Sequence, residues 1–124
     1  MACTATTRTS HSVVIVDLKG RITLGDGSGV IRETIKALTA KGERKILLNL
    51  AEVAYIDSAG LGEMVGSYAT ITSQGGRMKL VHAQKRVRDV LQITKLYTVF
   101  EAFDDEGVAV ASFETAAEQA SSQG

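Results

Sequence analysis

The sequence predicts a layered α/β domain, with a central mixed β-sheet of four to five strands flanked by about four α-helices. Short β-branched or apolar runs recur at Val13–Leu18, Lys45–Leu50 and Met78–Val81. Between them stand segments whose apolar residues repeat at three- and four-residue spacing, the period of a helix face. Glycines mark the changes of period, at Gly20, Gly42 and Gly75-Gly76. With 124 residues the chain has room for one layered core and not for two. The expected organisation is a flexible N-terminal tail over 1–11, a single domain over 12–118 and a polar C-terminal tail over 119–124.

Taken in order, Val13–Leu18 reads as a strand, and Lys19-Gly20 separates it from a second extended piece, Arg21–Leu24. The glycine-rich run Gly25–Gly29 precedes Ile31, Thr34, Ile35 and Leu38, an amphipathic helix that stops at Gly42. Lys45–Leu50 has little alternation, as expected of a central strand covered on both faces. Leu61, Met64, Val65 and Tyr68 mark the inner face of a second helix, which begins near Ser58 and ends at Gly75-Gly76. Met78–Val81 supplies another strand, and Val87, Val90, Leu91 and Thr94 a third helix. Val99–Phe103 reads as a last strand and the alanine-rich Asp105–Gln119 as a last helix.

Composition narrows the function. The 14 basic and 14 acidic side chains cancel, so nothing provides the basic excess that nucleic acid or an anionic membrane demands. The apolar runs are strand-sized, far below the roughly 20 residues that span a bilayer. Cys3 has no mate for a disulfide or a cysteine-based metal site, and no secretory signal precedes the first strand, so a cytoplasmic protein whose partners are proteins is expected. His11 and His82 stand far apart without a ligand spacing, and no metal or cofactor is expected. Lys85, Arg86 and Arg88 read as a solvated helix face.

The most informative stretch is Asp57-Ser58-Ala59-Gly60-Leu61-Gly62, a hydroxyl at a strand-to-helix corner beside two glycines. By chemistry alone a serine there is most often an N-cap, worth about 1 kcal/mol. A hydrolase nucleophile is disfavoured, because the Gly-x-Ser-x-Gly pattern and a His-Asp partner set are missing. A receiver-like phosphoacceptor at Asp57 lacks the acidic pair that would hold Mg²⁺, since the first strand offers only Asp17. Gly25-Asp26-Gly27-Ser28-Gly29 has the clearance of a phosphate cradle but neither a P-loop ending nor a dinucleotide fingerprint, and reads as a loop and helix cap.

Asn49-Leu50, Ile56-Asp57-Ser58-Ala59-Gly60-Leu61-Gly62 and Gly75-Gly76 together resemble the core signature of STAS domains, specifically of bacterial anti-sigma factor antagonists, over about Val13 to Phe113. The resemblance implies the STAS-like fold and a regulatory protein that is not an enzyme. It also implies that Ser58 is phosphorylated by a serine-kinase anti-sigma factor, that this modification ends binding, and that a protein phosphatase restores the serine. ATP and Mg²⁺ would then sit on the kinase. The partner-binding residues so implied are Thr23, Asp57, Ser58, Ala59, Gly60, Leu61, Gly62, Glu63 and Ser67, with Glu63, Ser67 and Thr70 expected at exposed helix positions. Thr23 stands where such antagonists usually carry an acidic residue, and reads by itself as a strand-end threonine. The alternative within the fold is a STAS subunit of a phospholipid ABC transporter or of a stress-sensing scaffold.

Overall fold

The computed structural model describes residues 3–24 and 28–113. Its elements run β1 (Thr4–Ser10), β2 (Val13–Ile22), α1 (Ser28–Ala40), β3 (Lys45–Ile56), α2 (Ser58–Ser73), β4 (Arg77–Val81), α3 (Lys85–Ile93), a 3₁₀ turn (Leu96–Thr98) and β5 (Ala102–Phe103). A further helix, α4, occupies 106–113. The strands form one mixed sheet in the order β1-β2-β3-β4-β5, antiparallel at β1/β2 and parallel elsewhere. The expected mixed sheet and four helices are therefore present.

The N-terminal segment departs from expectation. Residues 4–10 are not a flexible tail but an edge strand paired along its length with β2, from Thr4↔Lys19 to Ser10↔Val13. His11 and Ser12 both have positive φ, 51° and 65°, the geometry of a two-residue hairpin loop. A solvent-facing edge strand can be polar and rich in threonine, and His-Ser lacks the Asn-Gly signature that would have announced the turn. The opening strand pair is thus β1/β2, and Lys19-Gly20 does not divide β2. Gly20, at φ 107°, instead absorbs a register shift between Gly20 and Arg21 within a continuous strand.

The sheet separates two apolar layers. Val14, Val16, Leu18, Ile46, Leu48 and Leu50 pack beneath Ile31 and Ile35 of α1, Met64 and Ile71 of α2, and Val87 and Leu91 of α3. On the other face Val13, Ile15, Leu47 and Val81 meet Ala109, Val110 and Phe113 of α4. Alternate residues of β2 and β3 thus serve opposite layers, which explains why Lys45–Leu50 reads as nearly continuous apolar sequence. The expected final strand is confined to Ala102–Phe103, because the N–H groups of Val99 and Phe100 donate back to the Leu96 carbonyl of the preceding 3₁₀ turn. The expected helix over Asp105–Gln119 is seen as α4, and its portion beyond 113, with the polar tail 119–124, lies outside the described residues.

β3 also runs further than the apolar pattern suggests. It pairs with β4 only as far as Asn49↔Val81, then continues beside β2 alone, from Lys19↔Glu52 to Ile22↔Ile56. This two-stranded extension carries the start of α2 beyond the body of the sheet.

Candidate functional site

At the end of β3, Asp57 adopts extended backbone (φ −103°, ψ −175°) and caps α2. Its Oδ1 accepts from the backbone N–H of Gly60 at 2.9 Å, and its Oδ2 from that of Leu24 at 3.1 Å. The Asp57 N–H donates to the Ile22 carbonyl at 3.2 Å. One carboxylate therefore satisfies a helix-start donor and ties the loop after β2 to the helix. The Gly60 hydrogen bond, followed by that from Leu24, holds the Asp57 carboxyl below its ordinary pKa.

Because Asp57 is the cap, Ser58 is left without structural duty. It is the first residue of α2, it is exposed, and its hydroxyl makes no hydrogen bond among the described residues. Gly60 is buried against the end of β2: a Cβ there would meet the Ile22 carbonyl oxygen and lie 2.8 Å from both Ile22 Cγ2 and Ile56 Cγ1. Gly62 differs, since a Cβ there would touch nothing within 4 Å. It lies on the outward helix face, one turn from Ser58.

The residues singled out by sequence consequently divide in two. Ser58 and Gly62 are exposed, and Thr23, Asp57, Ala59 and Glu63 are partly so. Gly60 and Leu61 are buried, and Leu61 belongs to the core. Ser67, expected at the surface, is only 4% exposed because it falls on the face of α2 turned toward α1, whereas Thr70 is exposed as expected. Glu63 reaches Arg32 of α1 at 3.8 Å. Of the glycine-rich run, Gly25–Gly27 lie outside the described residues, and Ser28 and Gly29 open α1.

Sequence reasoning missed the apolar component of this end of the molecule. Leu24 is 78% exposed, directly after Thr23. Tyr55, paired in register with Arg21, is partly exposed, and the Arg21 guanidinium lies 5.7 Å from its ring centroid. No strand-like alternation announced it, since in the β3 extension Val53 and Ile56 are buried and the two residues between them, Ala54 and Tyr55, are not. Among the described residues no cluster of His, Cys, Asp or Glu could hold a metal ion, and no helix is long and apolar enough to cross a membrane.

Residues 4–109 match the STAS domain family, a span that contains the capped helix start and all five strands of the sheet. The chain belongs to the STAS family. Among curated STAS relatives, the anti-sigma F factor antagonist of Paenibacillus polymyxa is 27% identical over 104 residues, covering 84% of this chain and 89% of that protein. The anti-sigma-B factor antagonist of Bacillus subtilis (strain 168) is 33% identical over 72 residues, 58% of this chain and 65% of that one. In three dimensions this STAS domain resembles the Bacillus cell fate determinant SpoIIAA in its phosphorylated form, with a TM-score of 0.68 at 21% identity, covering 88% of this chain and 98% of that one.

Proposed function

We propose that this STAS protein is a cytoplasmic anti-sigma factor antagonist, which binds a serine-kinase anti-sigma factor and is switched off by phosphorylation of Ser58. The carrying observation is the division of labour at the helix start: Asp57 performs the capping, and Ser58 presents an unengaged, exposed hydroxyl. The names of the curated relatives support the antagonist role, and a phosphorylated form of a structural neighbour supports the switch.

The mechanism is local. A phosphoryl group on Ser58 would add about two negative charges beside the Asp57 carboxylate, at the centre of a surface formed by Thr23, Leu24, Ala59 and Gly62. Docking then faces charge repulsion and the cost of desolvating the phosphate, while the helix start favours the anion and the fold is kept. The chain supplies only the acceptor hydroxyl. Mg²⁺ and ATP belong to the kinase, and a protein phosphatase returns Ser58 to its free form.

The test is incubation of the protein with ATP and the serine kinases of its own genome, followed by intact-mass and phosphosite analysis. One kinase should add a single phosphate at Ser58, and S58A should accept none. S58D should lose affinity for that kinase while S58A keeps it. Equal, tight binding by both variants would contradict the switch, and co-purification with a transporter ATPase in place of a kinase would assign the domain to transport.

A further inference from the structure

We infer that Leu24 and the Arg21–Tyr55 pair are the anchoring contacts of the docking surface, and that they fit a partner presenting an apolar pocket with a carboxylate beside it. The inference rests on the reading that a serine-kinase anti-sigma factor docks at Ser58, and it names what that partner must offer.

The two-stranded extension of β2 and β3 carries these side chains. Ile22 and Ile56 pair in register and belong to the core beneath the helices, so their neighbours Arg21 and Tyr55, also paired, point to the opposite side. On that side α4 packs lower down, where Ala109, Val110 and Phe113 meet Val13, Ile15, Leu47 and Val81. The outer side of the extension is left to solvent, and both Arg21 and Tyr55 are exposed there.

Leu24 stands at the tip of the extension. Exposed apolar residues are ordinary on a protein surface, and Ile93 of α3, 82% exposed, is one. Leu24, 78% exposed, differs because its backbone is tied down: its N–H donates to Asp57 Oδ2 at 3.1 Å. The carboxylate that caps α2 one residue before Ser58 thus holds the leucine in a fixed relation to the serine hydroxyl. An aliphatic knob, a tyrosine ring and an arginine at one end of a molecule are the residue types that dominate binding energy when a partner covers them.

Charge selects the partner's chemistry. Lys19 lies 3.6 Å from Glu52, so these two charges of the extension cancel. Arg21 has no carboxylate partner among the described residues, and its guanidinium, 5.7 Å from the Tyr55 ring centroid, is steadied by the ring with its N–H donors unspent. A partner carboxylate is the acceptor that such a fork takes best. Leu24 calls for an apolar pocket at its side.

The test uses the kinase identified by phosphate transfer to Ser58, titrated calorimetrically with the full chain in the presence of ADP, so that no phosphoryl group moves. Leu24→Ala keeps the backbone N–H that Asp57 accepts, and should weaken binding at least about tenfold. Arg21→Gln should weaken it at least about fivefold at low salt and by less at high salt, because screening removes what a carboxylate contributes. Both positions are exposed, so both variants keep the fold, and Ile93→Ala on α3 should bind unchanged. Full affinity in either variant, an equal loss from Ile93→Ala, or an Arg21→Gln loss that ignores salt would overturn the inference and leave phosphorylation of Ser58 standing. Failure of every kinase to bind the unaltered chain would remove the reading and the inference together.

Discussion

Gly60 lies so close to Ile22 that the first turn of α2 rests on the last carbonyl of β2 with no room for a side chain. The same carbonyl accepts the Asp57 N–H at 3.2 Å, so a single backbone group positions both the cap and the glycine two residues past Ser58. Gly60→Ala should therefore force the helix off the sheet, at a cost of about 1–3 kcal/mol. Gly62→Ala, with open space around it, should be stabilising by about 0.5–1 kcal/mol through reduced chain entropy. Urea denaturation of the two variants reads the contrast, and equal effects would contradict the packing described.

Asp57 and Ser58 should separate cleanly by stability. Ser58→Ala is expected to change unfolding free energy by no more than about 0.5 kcal/mol, since its side chain is exposed and uninvolved in the cap. Asp57→Ala should lower the melting temperature, by releasing the N–H groups of both Gly60 and Leu24. Calorimetry on the pair checks this, and a larger loss from the serine change would mean that Ser58 is the true cap.

Arg8 joins β1 to β2 and α4, with Nε 2.7 Å from Asp17 Oδ2 and Nη1 2.9 Å from Glu106 Oε2. Its guanidinium holds both carboxyls below their ordinary pKa values, and Asn49 adds to the effect on Asp17. Lowered folded-state values mean that this stabilisation is present above the unfolded carboxylate pKa and is lost as pH falls through the folded one. Stability should thus decline from about pH 5 downward, and Arg8→Ala should flatten that decline. At neutral pH the variant should lose about 1 kcal/mol or less, given the exposure of the network. Denaturant midpoints measured across this acid range test both statements.

Lys79, 4% exposed, donates to Ser112 Oγ at 2.9 Å and lies 4.9 Å from the centroid of the Phe113 ring. Lys79→Ala should cost about 2–4 kcal/mol, through a cavity and the loss of the tie to α4. Lys79→Met retains the packing volume and should cost less. Faster hydrogen exchange over 109–113 in the alanine variant would report the loosened helix, and unchanged exchange would place the loss elsewhere.

Most of the fold was legible because the core obeys local periods: Ile31, Ile35 and Leu38 on α1 and Leu61 and Met64 on α2 announce their faces. β1 was not, because an edge strand with one partner needs no apolar alternation, and its threonines look like those of a loose tail. The far half of β3 escaped for a related reason, since beyond Asn49 it has lost β4 and its exposed Ala54 and Tyr55 resemble a connection.

At the site, the sequence by itself determined the chemistry on offer: an acidic residue, a hydroxyl and two glycines at a strand-to-helix corner, within a span that belongs to the STAS family. Only the tertiary structure decided what each of them does. Capping depends on which side chain reaches the free N–H groups, and Asp57 does so in place of Ser58. Steric need depends on what lies opposite, so Gly60 is required by Ile22 while Gly62 faces open space. Burial depends on how one helix is rotated against another, which turned Ser67 from an expected surface contact into a hydroxyl enclosed between α1 and α2. Residue type and spacing set which interactions are possible, and the long-range packing of β2, α1 and α2 selects among them.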